Sequence, residues 1–404
     1  MKTITDDIMK SMAGSSWIRR MFEKGMELKL RHGPDAVCDF SLGNPDVPPP
    51  AKAEAALKSI AEAAVKPLGL GYCPNAGIPA VREAMAKSLS SQQGVEIAPG
   101  CVIMTVGAAG ALVSFFRATV SAGDEIVVPA PYFVEYASYC GHFGGVLKPV
   151  ITKRDDFGID IEGIAAAITP RTRAILVNSP NNPTGAIYSA DEMARLAQLV
   201  TEVNSSRERE LGDDARPVYL LSDEPYRAFA YDGAVVPPVL PLTPWSVVMG
   251  SFSKTLSLAG ERIGYIALNP AMPGVETLSA ALTLTNRTLG FVNAPVIGQR
   301  LAAALLAETV DLSIYDRRRK LMSDVLKEAG IEFAEPKGAF YFFPKVPGGD
   351  DIRFTDALAE ELILVVPGRG FGMPGHVRLS CSVDEKIIER SRAGFKRAME
   401  KYVK

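Results

Sequence analysis

Histidine is scarce in this 404-residue chain: His32, His142 and His376 are its only three, and no two lie near each other in sequence. A histidine-built metal centre or a Ser-His-Asp triad therefore has little to work with. The five cysteines, Cys38, Cys73, Cys101, Cys140 and Cys381, are odd in number, scattered and without a CxxC spacing. That argues against a disulfide framework and for reduced thiols. Neither sign of charge is in excess, since 44 Lys and Arg face 46 Asp and Glu for a net charge of -2, so no nucleic-acid or membrane-surface partner is implied. No run of about 18 apolar residues occurs, and the opening "MKTITDDIMKSMAGSSWIRR" has no apolar core of signal-peptide length. No internal repeat or low-complexity tract appears. These shortages predict a cytoplasmic enzyme or binding protein.

What is present suits a packed interior: 47% of residues are hydrophobic and 22% charged, in a chain long enough for two domains. From about residue 100 short apolar runs alternate with helical stretches. Val102 to Val106, Glu125 to Val128, Ala174 to Asn178, Val218 to Ser222 and Trp245 to Gly250 read as strands, and "GAAGALVSFFRATVSAG" as a helix. Strands without polar alternation, separated by helices, predict an α/β domain with a mostly parallel sheet covered on both faces. The insert "NSSRERELGDDAR" (204–216) reads as a polar connection. Beyond about residue 295 the pattern changes, which predicts a large domain over 50–294 and a smaller α+β domain from 1–49 and 295–404.

In such a sheet the loops at the carboxyl ends of the strands line the ligand crevice. Here they are "GAAG" (107–110), "PAPYF" (129–133), "NSPNNPTG" (178–185), "SDEPY" (222–226) and "SFSK" (251–254). Lys254 ends the last of these after an apolar run. As a lone lysine it would cap a strand at the surface, but in a crevice its desolvated amine becomes a nucleophile able to form a Schiff base. A Schiff-base lysine suggests pyridoxal 5′-phosphate, which needs an acid for its ring nitrogen, donors for its phenolic oxygen, a flat partner and a phosphate cradle. Asp223 is placed for the nitrogen or for capping the next turn. Asn182 and Tyr226 suit the phenolic oxygen, and Phe133 or Tyr132 the ring face unless these aromatics are core. Gly107, Ala108 and Ala109 open a helix whose N–H groups attract an anion, and Ser251 and Arg262 add a hydroxyl and a fixed charge. "GAAG" alone is weak, because it is not G-x-G-x-x-G.

The order of these motifs resembles that of the fold type I pyridoxal-phosphate aminotransferases, class I and II. "GLGYCPNAGIPAVREA", "NNPTG", "SDEPY", "SFSKTLSLAGERIGY", "KGAFYFF" and "VRLSC" carry the resemblance over nearly the whole chain. It implies an aspartate aminotransferase-like enzyme that moves an amino group from an L-amino acid to a 2-oxo acid, with Lys254 as the Schiff-base lysine and Asp223 as the ring-nitrogen partner. It further implies Asn182 and Tyr226 on the phenolic oxygen, Phe133 as the stacking aromatic, and Ser251 and Arg262 on the phosphate, with Ser253 a weaker candidate. Arg378 in "HVRLSC" matches the arginine for the substrate α-carboxylate and Gly43 in "SLGNPD" the glycine that closes over substrate. Tyr72 matches a tyrosine that reaches a neighbouring subunit's phosphate, which implies a homodimer with shared sites. Where many relatives carry a polar side chain this chain has Ala109, so its phosphate depends more on backbone donors.

Three alternatives share features of this pattern. "SFSK" fits S-x-x-K and "SPN" fits S-x-N, two marks of an acyl-serine enzyme whose third mark, K-T-G, is absent. An aminotransferase-like regulator would need a DNA-binding domain for which the roughly 40 residues before "SLGNPD" are too few. A lyase or decarboxylase on the same fold breaks a different substrate bond. The substrate side chain is left open, and Arg287 in "TNRTLGFVNAP" is either a second carboxylate partner or a surface residue.

Overall fold

The computed structural model describes residues 3–6, 8, 9, 17–152 and 154–403. In chain order its strands are β1 (Cys38–Asp39), β2 (Val102–Val106), β3 (Glu125–Ala130), β4 (Val146–Ile151), β5 (Thr172–Asn178) and β6 (Tyr219–Asp223). They continue as β7 (Ser246–Ser251), β8 (Ile263–Leu268), β9 (Tyr341–Phe342), β10 (Ile363–Leu364), β11 (Val366–Pro367) and β12 (Val377–Ser380).

The chain divides into two compact units. The larger, residues 45–312 with 337–339, holds a seven-stranded sheet in the order β2-β8-β7-β6-β5-β3-β4. Strands β4, β3, β5, β6 and β7 run parallel to one another, and β8 is antiparallel to both β7 and β2. The inner parallel strands are apolar on both faces because both are covered, whereas the edge strand β4 stays partly exposed. Ile175, Leu176, Val177, Leu220, Leu221, Val247 and Val248 are fully buried, as a sheet flanked by crossover helices requires. The helix Gly107–Thr119 contributes Phe115 and Phe116 to the same core.

The smaller unit comprises the described residues up to Asn44, 313–336 and 340–404. It contains the parallel pair β1-β10 and the antiparallel order β11-β12-β9, with a core built from Phe40, Met322, Phe342, Phe354, Leu379 and Phe395. The units change over at 44/45 and 312/313 rather than at 49/50 and 294/295. The helix Val296–Ala304 that follows Pro295 sends Leu301 and Ala302, with the adjoining Leu305, into the core of the larger unit. The polar insert at 204–216 is also different from the expected connection. The helix Ala190–Leu211 runs through most of it, opened by a capping box in which Ser189 and Glu192 serve each other's backbone N–H. Asn204 holds that helix to the sheet by exchanging hydrogen bonds with both main-chain groups of Val218, at 2.9 and 2.7 Å.

Candidate active site

Strand β6 is apolar until its end, so Asp223 is carried into the interior and is only 5% exposed. Its Oδ2 accepts the Tyr136 hydroxyl at 2.5 Å, while Oδ1 is buried with no hydrogen-bond partner among the described residues. Burial pushes this carboxyl up to about 7; the Tyr136 hydrogen bond pulls against the shift and the charge of Glu224 adds to it. A carboxylate oxygen left unserved in the interior is costly. A cationic N–H aimed at Oδ1 would supply both the missing donor and the missing counter-charge, which is what a protonated pyridine nitrogen offers. Glu224, directly behind, is pushed up chiefly by burial, yet it has its own partners: Arg227 Nη1 and Ser222 Oγ each donate to it at 2.8 Å.

Asn178 at the end of β5 joins the neighbouring loop to this strand end. Its Nδ2 donates to the Asp223 carbonyl at 2.9 Å and its Oδ1 accepts the Asn182 N–H at 2.8 Å. The loop is closed by Asn181, whose side-chain oxygen accepts the Thr184 hydroxyl at 2.8 Å, and by Gly185 at φ +72°. Asn182 and Tyr226, each 5% exposed, thus flank Asp223 on short, tied segments. Phe133 follows β3 and meets Tyr136 edge to face, with ring centroids 5.5 Å apart.

Strand β7 ends at Ser251, and Lys254 sits on the single helical turn Phe252–Thr255 that follows. Ser251 and Ser253 are both buried, and Lys254 is partly so. Gly107 has φ +68°, and a Cβ there would lie 2.9 Å from Nη2 of Arg262, so the glycine leaves room for the guanidinium beside the helix opening. Arg262 itself stands in the left-handed region at φ +51°, exposed, with Nη1 donating to the Ala259 carbonyl at 3.2 Å. No side chain caps the helix Gly107–Thr119, so the N–H groups of its first turn, including Ala108 and Ala109, are not taken by a capping residue.

All of these positions belong to the larger unit, and so does Tyr72, which is 93% exposed. Its loop is fixed from below: Asn75 Nδ2 donates to the Val292 carbonyl at 2.7 Å and Gln299 Oε1 accepts the Ile78 N–H at 2.8 Å. Arg287 is exposed at the start of the turn Arg287–Phe291. Gly43 and Arg378 come together in the smaller unit, where Arg378 Nη2 donates to the Ser41 carbonyl at 2.6 Å. A Cβ on Gly43 would collide with the Tyr341 hydroxyl, so that position needs glycine for space. Tyr136, Asn178 and Tyr341 were missed in the sequence. Their signal is faint: Tyr136 lies three residues after Phe133, Asn178 opens "NSPNNPTG", and Tyr341 is one aromatic among four in "FYFF".

A sequence model described as aminotransferase class I and II matches residues 35–393. The aspartate/prephenate aminotransferase of Thermus thermophilus is 33% identical over 385 residues, covering 93% of this chain and 94% of that protein. The aspartate aminotransferase of Geobacillus stearothermophilus is also 33% identical, with 94% of each chain covered. Among solved structures, an aminotransferase from Eubacterium rectale superposes with a TM-score of 0.92 at 35% identity over 100% of both chains. The Thermus thermophilus aspartate aminotransferase with maleate gives 0.84 at 29% identity over 98% of this chain and 100% of that one. These relatives support transamination and lend nothing to the lyase or decarboxylase alternative. The chain is a member of the class I and II aminotransferases, an α/β enzyme that transfers amino groups.

Proposed function

We propose that this aminotransferase holds pyridoxal 5′-phosphate through Lys254 and passes an amino group from an L-amino acid to a 2-oxo acid. The observation that carries the reading is the buried, unpartnered Oδ1 of Asp223. When bound, the cofactor supplies an aldehyde carbon that takes up the substrate nitrogen and a ring that draws electrons from the substrate Cα. Asp223 keeps the proton on the ring nitrogen through Oδ1, with Oδ2 held by Tyr136. Asn182 and Tyr226 donate to the phenolic oxygen, and Phe133 lies on the ring face. The N–H groups of Gly107, Ala108 and Ala109, the Ser251 hydroxyl and the Arg262 guanidinium hold the phosphate, with Ser253 a secondary donor. Lys254 would hold the aldehyde carbon through Nζ and, once free as an amine, would carry the proton from the substrate Cα to the cofactor carbon C4′, the simplest acid-base route to amino transfer. Arg378 takes the α-carboxylate in a planar fork, and the backbone at Gly43 closes over substrate.

The relatives' names make aspartate the first amino donor to test, with 2-oxoglutarate as acceptor. Tyr72 is assigned to the phosphate of a second copy. Leu68 is 89% exposed, Leu70 57% and Tyr72 93%, and such a run of exposed apolar side chains fits a self-complementary two-fold interface. Five cysteines without a disulfide among the described residues fit a reducing, cytoplasmic setting. No helix among the described residues is long and apolar enough to cross a membrane.

The test is borohydride reduction of the yellow protein followed by peptide mapping. The label is expected on Lys254, and a label on any other lysine overturns the assignment.

A further inference from the structure

Arg378 is 2% exposed, so its guanidinium depends on its neighbours for both solvation and orientation. One in-plane N–H is used on the Ser41 carbonyl at 2.6 Å. Its carbon also lies over two aromatic rings, 4.9 Å from the centroid of Tyr341 and 4.8 Å from that of Phe371. A ring face carries negative charge, and such contacts are strongest when the cation is desolvated. Such contacts offer the guanidinium N–H groups no hydrogen-bond acceptor, and those groups stay available to bond a carboxylate in the guanidinium plane. Rings therefore orient the fork without competing with an incoming carboxylate, which an acidic neighbour would do.

The rings are themselves held. Phe371 meets Phe343 edge to face with centroids 6.1 Å apart, and Tyr341 rests tilted on Phe340 at 4.8 Å. At its hydroxyl end Tyr341 packs against Gly43, where an added Cβ would overlap the hydroxyl and lie 2.9 Å from Cζ. The "FYFF" segment and the "SLGNPD" segment, far apart in sequence, thus meet at one tyrosine.

We infer that Tyr341 and Phe371 are positioning residues that set the plane of Arg378 for the substrate carboxylate, and that Gly43 lacks a side chain so that Tyr341 can stay over the guanidinium. The inference rests on the reading of Arg378 as the carboxylate-binding residue.

The holoenzyme tests it with succinate as an unreactive carboxylate probe, titrated to a Kd, alongside kcat and KM for aspartate. Tyr341→Leu and Phe371→Leu are each expected to raise Kd and KM about tenfold with a smaller change in kcat, while Tyr341→Phe, which keeps the ring, stays within about twofold. In an Arg378→Leu background the same ring substitutions should add nothing to the loss in kcat/KM, because there is no plane left to orient. If a leucine variant does not fold, Gly43→Ala displaces the ring without deleting it. About tenfold weaker binding, partly restored by Tyr341→Phe, is then expected. Unchanged succinate affinity in Arg378→Leu overturns the reading of Arg378 itself. A loss in Arg378→Leu with none in the ring variants, or ring effects of the same size with and without the arginine, overturns the clamp alone.

Discussion

Asp124 and Asp223 are each 5% exposed and each touch one edge of the same sheet, yet their carboxyls are held in opposite directions. Asp124 precedes β3 at the amino edge of the parallel strands. Burial would push it up, but the Ser121 N–H, the hydrogen bond from Arg216 and the charges of Arg173 and Arg216 together bring it below the usual carboxylate range. Arg216 Nη2 reaches it at 2.8 Å and Arg173 Nε at 3.2 Å. Asp223 ends β6 at the carboxyl edge, has one hydroxyl donor, and is pushed up to about 7. Asp223 lies deeper and has fewer partners than Asp124, and the two differences together separate a carboxylate that holds the fold together from one that is kept for something else.

The largest expected separation is in turnover. Asp223→Asn should lower kcat by about 10²–10³-fold, the scale for removing one preorganised electrostatic partner, and near-normal proton abstraction from Cα in single-turnover kinetics would erase the contrast. Its stability should move the other way. A carboxyl whose folded pKa is raised contributes stability fully below the unfolded value of about 4 and loses it as pH rises toward 7. Cofactor-free Asp223→Asn should therefore melt higher than the wild type at pH 8 and no higher at pH 4, as read by calorimetry.

Tyr136→Phe comes next. It removes the donor to Oδ2, so the carboxyl should rise further, the limb of the cofactor-bound pH–rate profile assigned to Asp223 should move to higher pH, and kcat should fall about tenfold for the loss of one hydrogen bond to a charged group. A pH profile superimposable on the wild type would show that the 2.5 Å contact does not tune Asp223.

Asp124→Asn should have the smallest effect on activity, within about twofold, while costing about 3 kcal/mol of stability, because it leaves two arginines without their carboxylate. That corresponds to a fall of roughly 3–5 °C in Tm for a chain of this size. The wild-type contribution of Asp124 is full above the usual carboxylate range and is lost as pH falls through its depressed folded value, so the two proteins should converge in acid. A strong effect on kcat would place Asp124 on the functional side of the comparison.

The carboxyl edge of the sheet was legible because its strands are continuous apolar runs that end in polar, glycine- or proline-bearing loops. Four of the five expected strands end within one residue of the observed ones, and β3 runs two residues past Val128 to Ala130. What was hidden depends on distance in sequence. Tyr136 reaches Asp223 across 87 positions, and a tyrosine on a helix reads as core whether or not its hydroxyl has an occupation. The antiparallel insertion of β8 between β2 and β7 has the same apolar composition as a parallel strand, so its direction could not be read from the residues. The two-residue pair β1-β10 is too short to carry any periodicity. The end of helix Ala190–Leu211 was read as a connection because "NSSRERELGDDAR" is mostly polar, although Arg and Glu are good helix formers.

Asn178 gives the site a fixed internal gauge. One amide group, 4% exposed, touches both the carbonyl of Asp223 and the N–H of Asn182, and its own backbone continues β5, whose last pairing is with Asp223. The interval between Asp223 and Asn182 is thus set by the length of a single side chain. A shift of β6 along its axis would be passed to the "NNPTG" loop through that one amide.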